Sequence, residues 1–229
     1  WHDGSCLRQL LAALCAAVPS VRIRLGSLEP RTIDEEFCKT LSGFENLCPQ
    51  FHLSLQSGSD SVLRRMHRKY DSARYLQSVE LLHRYFPGCA VTTDLIVGFP
   101  GETYEEFLDT VKLIEKAQYT SLYTFIFSPR EGTRAAKMDD PVSREEKGKW
   151  FSELCAAQEK IAAARTSAMV GREYRVLCES KAKKDGYISG RTQGNIIIEF
   201  PADESVIGSF RTVRVTEAQV GGQAVLGRQ

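Results

Sequence analysis

The sequence predicts an α/β protein in which a parallel sheet or barrel of alternating strands and helices is followed by a small all-β barrel. Three observations carry this. Apolar, β-branched runs alternate with stretches of helical spacing as far as Met169. The segment Ala90-Val-Thr-Thr-Asp-Leu-Ile-Val-Gly-Phe-Pro-Gly-Glu-Thr103 runs as a buried strand into a glycine-rich break and then a helix. After Gly171 the pattern changes to short strands parted by turn residues. In sheets of the first kind ligands sit at the carboxyl ends of the strands, where glycine admits a close approach and the next helix offers free N–H groups.

The elements follow in order. Cys6 to Ala17 has helical spacing of Leu and Ala, and Val21 to Leu25 reads as a short strand. Ile33 to Leu41 reads as a helix with Thr32 as its N-cap and Glu35 three residues on. Phe51 to Leu55 is the next strand, Ser59 to Met66 a short helix, and Ser72 to Tyr85 a longer one that Phe86-Pro-Gly88 ends. Thr103 caps Tyr104 to Lys116, with Glu105 and Glu106 where the helix dipole favours acids. Ser121 to Phe127 is the fourth strand, and Ser143 to Met169 a long amphipathic helix. Strands that alternate with helices are expected to run parallel.

Beyond the boundary near Gly171, five short strands are expected: Glu173 to Glu179, Tyr187 to Arg191, Asn195 to Phe200, Phe210 to Thr216 and Ala224 to Gly227. Lys183-Lys-Asp-Gly186, Gln193-Gly194, Pro201 to Gly208 and Gly221-Gly222 part them. The expected domains are therefore 1–170 and 171–229, the second a small closed barrel.

Composition bounds the function. With 229 residues, 42% hydrophobic and 26% charged, the chain has the make-up of an ordinary globular protein. A balance of 30 Lys and Arg against 29 Asp and Glu leaves no global nucleic-acid signature, so any RNA-binding surface is a local patch. No apolar run approaches the roughly 18 residues that span a bilayer. Seven scattered cysteines, with no CxxC pair, fit a reducing cytosol and make no metal motif by spacing. The opening Trp1-His-Asp-Gly-Ser5 lacks Met and runs straight into helical periodicity, from which a preceding segment is expected.

Four polar residues stand where such a fold places its site. Glu29 follows Ser27-Leu28, Gln56 ends the second main strand, Arg68 follows the short helix and Asp94 lies within the third main strand. A charge in a buried strand costs several kcal/mol unless it is paired, so Asp94 holds either a ligand or a neighbouring strand. Each of the others has an ordinary alternative: a loop carboxylate, a cap for Gly58-Ser59, and one more solvated cation in Arg64-Arg-Met-His-Arg-Lys69. Together, acceptors for hydroxyls and an ammonium, with a guanidinium for a carboxylate, suit an amino-acid nucleoside. His52, which leads into its strand, reads more readily as a core or strand-end histidine than as a ligand. Arg130, in the polar loop Ser128-Pro-Arg-Glu-Gly-Thr133, is placed for a substrate or cofactor anion or for a structural ion pair.

Arg22-Ile-Arg-Leu-Gly-Ser-Leu-Glu-Pro30, Cys48 to Asp60, Leu63-Arg-Arg-Met-His-Arg-Lys-Tyr70, Thr92 to Glu102 and Phe127-Ser-Pro-Arg-Glu-Gly-Thr-Arg-Ala-Ala136 resemble, in order and spacing, the radical SAM methylthiotransferases. Gly186 to Ile198 and Ile207 to Ala218 resemble a TRAM domain. The resemblance implies the C-terminal part of a partial (β/α)6 radical SAM barrel followed by an RNA-holding TRAM-like barrel. It implies S-adenosylmethionine as cofactor, with Glu29, Gln56, Arg68, Asp94 and Gly98 around it, and tRNA as partner through Arg130, Lys183, Lys184 and Arg191. An electron donor such as flavodoxin or ferredoxin is implied as well, in the cytoplasm.

The CxxxCxxC cluster motif is absent from this sequence. Both [4Fe–4S] clusters of the family are therefore expected on ligands outside the chain, and the chain alone is expected to be inactive, with no catalytic or metal-ligating residue of its own. The chemistry implied for the full protein is reductive cleavage to a 5′-deoxyadenosyl radical, hydrogen abstraction, and delivery of sulfur and methyl. The Ser27-Leu-Glu-Pro30 and Gln56-Ser-Gly-Ser59 segments resemble the tRNA branch, which adds a methylthio group to C2 of a hypermodified adenosine next to the anticodon. Within it the first half leans towards enzymes of threonylcarbamoyladenosine, whereas Tyr123 to Arg130 and Gly190-Arg-Thr192 resemble those of isopentenyladenosine; the former is slightly favoured. A ribosomal-protein methylthiotransferase and a non-catalytic RNA-binding module are the alternatives. Between Arg172 and Arg191, six Lys or Arg against three acids, with Tyr174 and Tyr187 for stacking, agree with RNA binding.

Overall fold

The computed structural model describes residues 6–218 and 224–228, so the Trp1–Ser5 opening and the Gly221-Gly222 turn lie outside the described residues. The chain divides into two compact units, Trp1–Gln158 and Glu159–Gln229.

The first unit is built on four parallel strands in the order β1 (Ser27–Leu28), β2 (Gln50–Leu53), β3 (Ala90–Val97) and β4 (Ser121–Ile126). Helices α1 (Leu7–Ala17), α2 (Glu35–Leu41), α3 (Asp60–Arg65), α4 (Ser72–Tyr85) and α5 (Tyr104–Ala117) punctuate them, and α6 (Arg144–Ser167) follows. In β3 the period of two separates the faces: Val91, Thr93, Leu95 and Val97 are buried, while Asp94 and Ile96 on the other face keep partial exposure. Helix residues Phe37, Leu82, Phe107 and Ile114 supply further core. Thr93 is a polar member of that buried row, and its hydroxyl is satisfied by the Leu53 carbonyl and the Leu55 N–H.

Two expectations are corrected here. Val21 to Leu25 makes one bridge, Ile23 with Leu47, and the first strand is instead Ser27–Leu28, which pairs further along the same neighbouring segment at His52 and Leu53. Thr32 does not cap α2: it closes a 3-10 turn that begins at Pro30, and Asp34 caps the helix by accepting the Phe37 N–H at 2.7 Å. The cap at Thr103 is as expected, with Glu106 returning the bond to the Thr103 N–H at 3.0 Å. The buried stripe of α6 begins Lys147, Trp150, Leu154, Gln158, at helical spacing but with two polar members. Gln158 satisfies one of its groups on the Tyr119 carbonyl at 3.1 Å.

The second unit contains a closed barrel of β5 (Glu173–Lys181), β6 (Tyr187–Arg191), β7 (Ile197–Pro201), β9 (Ala224–Arg228) and β8 (Phe210–Ala218), in that order around the ring. Alternate residues Val176, Cys178, Ile188, Ile198, Phe200, Val213, Val215 and Val225 fill it. β7 pairs with β9 in parallel and the other ladders are antiparallel.

Candidate functional site

The carboxyl ends of β1 and β2 and the chain after α3 meet at one buried phenol. Tyr70, 7% exposed, donates its hydroxyl to the Ser54 and Leu55 carbonyls at 2.6 and 3.1 Å. Burial raises its pKa, Arg68 opposes that shift by its charge and a hydrogen bond, and the Glu29 carboxylate reinforces it. Glu29 and Arg68, far apart in sequence, thus both act on one hydroxyl through their charge.

Gln56 takes the place next to them. Its φ of 73° is left-handed, an arrangement costly for a side chain with Cβ, and its backbone is clamped to β3 through Gln56 N to Asp94 O and Ile96 N to Gln56 O, both 2.9 Å. His67, just before Arg68, is also left-handed at 57°. Non-glycine residues held in this region cluster at ligand sites.

Asp94 lies on the half-open face of β3 beside its neighbours on β2. Its Oδ2 meets the His52 Nε2 at 3.2 Å, and the His52 Nδ1 meets the Thr92 hydroxyl at 3.0 Å. Gln50 reaches the same hydroxyl at 3.4 Å and takes an Arg24 N–H at 3.2 Å. The aromatic side chains of Tyr123 and Phe125, about half exposed, stand on the same face of β4 at the registers of Asp94 and Ile96.

After β3 the chain makes a tight loop. Glu102, only 2% exposed, accepts the N–H groups of Gly98 and Phe99 at 2.6 and 3.1 Å, and burial pushes its carboxyl up to about 7. A cleft of about 600 Å³ opens beside this loop, lined by Ile96, Phe99, Phe127 and Met138 with Arg68 and Arg134 among the cations. Its mostly apolar lining with convergent guanidinium groups is the surface that a nucleoside with an anionic end requires.

The expected site residues divide as follows. Arg68 lines the cleft, and the charge of Glu29 acts on the Tyr70 hydroxyl as that of Arg68 does. Gln56 and Asp94 are not among the residues lining that cleft; they sit side by side on the adjoining strand ends. At Gly98, φ 70°, a Cβ would run into the stem of Lys147, whose Nζ is held by Asp140 at 2.6 and 2.7 Å. Arg130 is exposed in a turn closed by Thr133 on its carbonyl. His52, Gln50, Thr92, Tyr70 and Glu102 were not read as site residues. The signal for the first three lay in the alternation, which puts residues 50 and 52 on one face of β2 and 92 and 94 on one face of β3.

In the barrel, Arg191 is the last residue of β6 and is held by Glu179 at 2.9 Å and Asn195 at 3.3 Å. Lys183 and Lys184 are exposed, and the Lys184 Nζ stands 3.9 Å from the Tyr187 ring centroid, a cation–π contact. Tyr174 is half-buried, packed against the barrel core.

Residues 8–114 match the Radical SAM superfamily and residues 167–221 match the TRAM domain. The chain is 43% identical over 198 residues to a protein of Symbiobacterium thermophilum named tRNA-2-methylthio-N(6)-dimethylallyladenosine synthase. It is 40% identical over 219 residues to one of the same name from Moorella thermoacetica, and 42% identical over 196 residues to one from Geobacter sulfurreducens. Through these matches the chain is similar to the radical SAM methylthiotransferases. These alignments cover 86%, 95% and 86% of the chain but only 42%, 49% and 44% of the relatives, so the chain spans somewhat less than half their length. Among solved structures, coproporphyrinogen III oxidase of Escherichia coli, titled a radical SAM enzyme, matches with a TM-score of 0.57 at 14% identity, covering 82% of this chain and 52% of that one. That likeness concerns the fold alone.

The family implies S-adenosylmethionine and an iron–sulfur cluster. The donor set at the strand ends of this chain fits the first: a guanidinium for a carboxylate, carboxylates for hydroxyls or an ammonium, and an apolar, aromatic-lined cleft for a purine. The second finds no match among the described residues, where no three His, Cys, Asp or Glu converge. Burial pushes the Cys38 thiol up to about 11 and raises those of Cys15, Cys48 and Cys178, the reverse of what a thiolate ligand needs. No helix among the described residues is long and apolar enough to cross a membrane.

Proposed function

We propose that the protein carrying this chain is a tRNA methylthiotransferase that adds a methylthio group to C2 of N6-dimethylallyladenosine, and that this chain supplies its S-adenosylmethionine pocket and an RNA-binding barrel. The observation that supports the reading is the Arg68-lined apolar cleft at the strand ends, with Tyr70 bonded to the Ser54 and Leu55 carbonyls and Gln56 bonded to Asp94, in a chain whose similar relatives bear that name. Of the two adenosines that the sequence leaves open, the dimethylallyl (isopentenyl) form is favoured by the relatives' names over the threonylcarbamoyl form.

In this reading the Arg68 fork holds the cofactor's carboxylate, and Tyr70 fixes the guanidinium by occupying one edge. Asp94 accepts a hydroxyl or ammonium N–H, and Gln56, its backbone pinned beside Asp94, adds an amide. Ile96, Phe99 and Phe127 exclude water from the purine. S-adenosylmethionine, when bound, supplies the radical chemistry and the methyl group; the residues of this chain bind and orient. In the barrel, Arg191, Lys183 and Lys184 meet RNA phosphates, and in the first unit Arg130 meets a substrate anion. An electron donor of the flavodoxin or ferredoxin type, two clusters on ligands elsewhere and a cytoplasmic location complete the proposal.

The test is product analysis. The full-length enzyme is incubated with tRNA bearing dimethylallyladenosine and, separately, tRNA bearing threonylcarbamoyladenosine, and digested nucleosides are weighed by mass spectrometry. The methylthio mass increment on the dimethylallyl nucleoside is expected. An increment only on the threonylcarbamoyl nucleoside would reverse the substrate assignment, and none on either would overturn the activity.

A further inference from the structure

Five polar side chains on the half-open face of the parallel sheet form one continuous chain, Arg24–Gln50–Thr92–His52–Asp94, with contacts of 3.2, 3.4, 3.0 and 3.2 Å. Its protons can be assigned from both ends. A guanidinium only donates, so the Gln50 atom facing Arg24 is the amide oxygen, and the Gln50 NH2 donates to Thr92. At the other end an ionised carboxylate only accepts, so the His52 Nε2 carries the proton that faces Asp94. A neutral imidazole protonated there accepts at Nδ1, and the one hydroxyl proton of Thr92 fills that place. Each of the four contacts then has one donor and one acceptor, and all four bonds point the same way, from Arg24 towards Asp94.

We propose that His52 and Thr92 are positioning residues: they present the Asp94 carboxylate to the cofactor's hydroxyl or ammonium group by fixing Oδ2 and leaving Oδ1 for the ligand. Three further observations support this. Asp94 Oδ1 accepts no hydrogen bond among the described residues, whereas Oδ2 is occupied by His52. The His52 side chain is 13% exposed and that of Asp94 32%, so the chain runs from a sheltered support to a carboxylate that meets solvent. The His52 ring also lies 5.7 Å from the ring of Tyr123, which limits its rotation. A neutral imidazole orients a carboxylate without neutralising it, so Asp94 keeps its charge for the ligand; a Lys or Arg in that place would compete for it.

The inference rests on the reading of Asp94 as a cofactor contact, and the experiment separates the two. The full-length, cluster-loaded protein is labelled with 15N-histidine, and the His52 ring nitrogens are assigned by their loss in His52→Gln. S-adenosylmethionine dissociation constants are measured by equilibrium dialysis for wild type, Thr92→Val, Thr92→Ser and Asp94→Asn. The expected results are an Nε2–H tautomer for His52, binding weakened about fivefold or more in the isosteric Thr92→Val, and binding within about twofold of wild type in Thr92→Ser, since one net hydrogen bond carries about that much. An Nδ1–H tautomer overturns the relay whatever Asp94 does. Weakened binding in Asp94→Asn with unchanged binding in Thr92→Val overturns the positioning role and leaves the Asp94 contact standing. Unchanged binding in Asp94→Asn overturns both.

Discussion

Glu106 grips Arg65 with both carboxylate oxygens, at 3.0 and 2.6 Å, and this fork ties the first turn of α5 to the last turn of α3. Arg65, followed by Ser61 and the Thr103 N–H, holds the Glu106 carboxyl down at about 2, below its ordinary 4.5. A carboxyl lowered on folding contributes stability that is present above the unfolded value and lost as pH falls through the folded one. Glu106→Gln is therefore expected to cost about 1–3 kcal/mol near neutrality and progressively less between about pH 4.5 and pH 2, read from urea unfolding at a series of pH values. A cost that does not shrink with acid would refute the pair's role.

Glu102 predicts the opposite slope. Burial raises its carboxyl to about 7 in the folded chain, so the unfolded chain releases the proton first and stability falls as pH rises from about 4.5 to about 7. Glu102→Gln keeps an acceptor for the Gly98 and Phe99 N–H groups and removes the titration. Wild type minus variant should show this loss, at most about 3 kcal/mol, within that window and no further change above it. A flat difference across the window would show that the carboxyl does not carry the slope.

Gly58 stands against the backbone of α5, and its N–H donates to the Thr110 hydroxyl at 2.9 Å. A Cβ there would lie 2.5 Å from the Thr110 Cα and 2.8 Å from the Asp109 carbonyl oxygen, atoms that cannot swing aside. Gly58→Ala is expected to lower stability by about 1–3 kcal/mol or more. Gly43→Ala, with open space around it, should stay within about 0.5 kcal/mol, and thermal unfolding of the two variants side by side decides the matter.

At the strand ends, Asp94→Ala in the full-length enzyme should weaken S-adenosylmethionine binding by about 1–3 kcal/mol, the cost of leaving a donor unpaired. Calorimetric titration of a folded variant that binds like wild type would argue that Asp94 serves only the sheet.

For the barrel, replacing Arg191, Lys183 and Lys184 together should weaken tRNA binding chiefly at low salt. Each lost phosphate contact lowers the slope of log affinity against log salt by roughly 0.7–0.9. Because Arg191 is paired with Glu179, its share should be smaller than that of an unpaired cation, and Glu179→Gln should raise affinity. Filter binding over a salt series checks both, and an unaltered slope would move RNA recognition to the Arg64 to Lys69 cluster.

How far the sequence carried the reading depended on the range of the interactions. β3 and the cap at Thr103 were legible because their signals are local: a β-branched run, a Gly-Phe-Pro-Gly break, and a Thr with a Glu three residues on. The five barrel strands were legible from turn residues and alternation. The failed strand at Val21 to Leu25 was not, because a strand needs a partner, and Asn46 to Cys48 offers only one bridge. Asp94, Arg68 and Glu29 stood out as charges in unexpected places. Tyr70 and Thr92 did not, since a tyrosine after a basic run and a threonine in a strand look ordinary until the register brings them beside a partner some 15 to 40 residues away.

The small barrel is closed by β9, which bonds to β7 on one side and β8 on the other. Loss of β9 would therefore remove one strand but bare two edges, and bared edges recruit other chains. A variant lacking Ala224–Arg228 should accumulate as insoluble aggregates even though most of the valine-rich interior is kept, so this short strand matters to solubility out of proportion to its length.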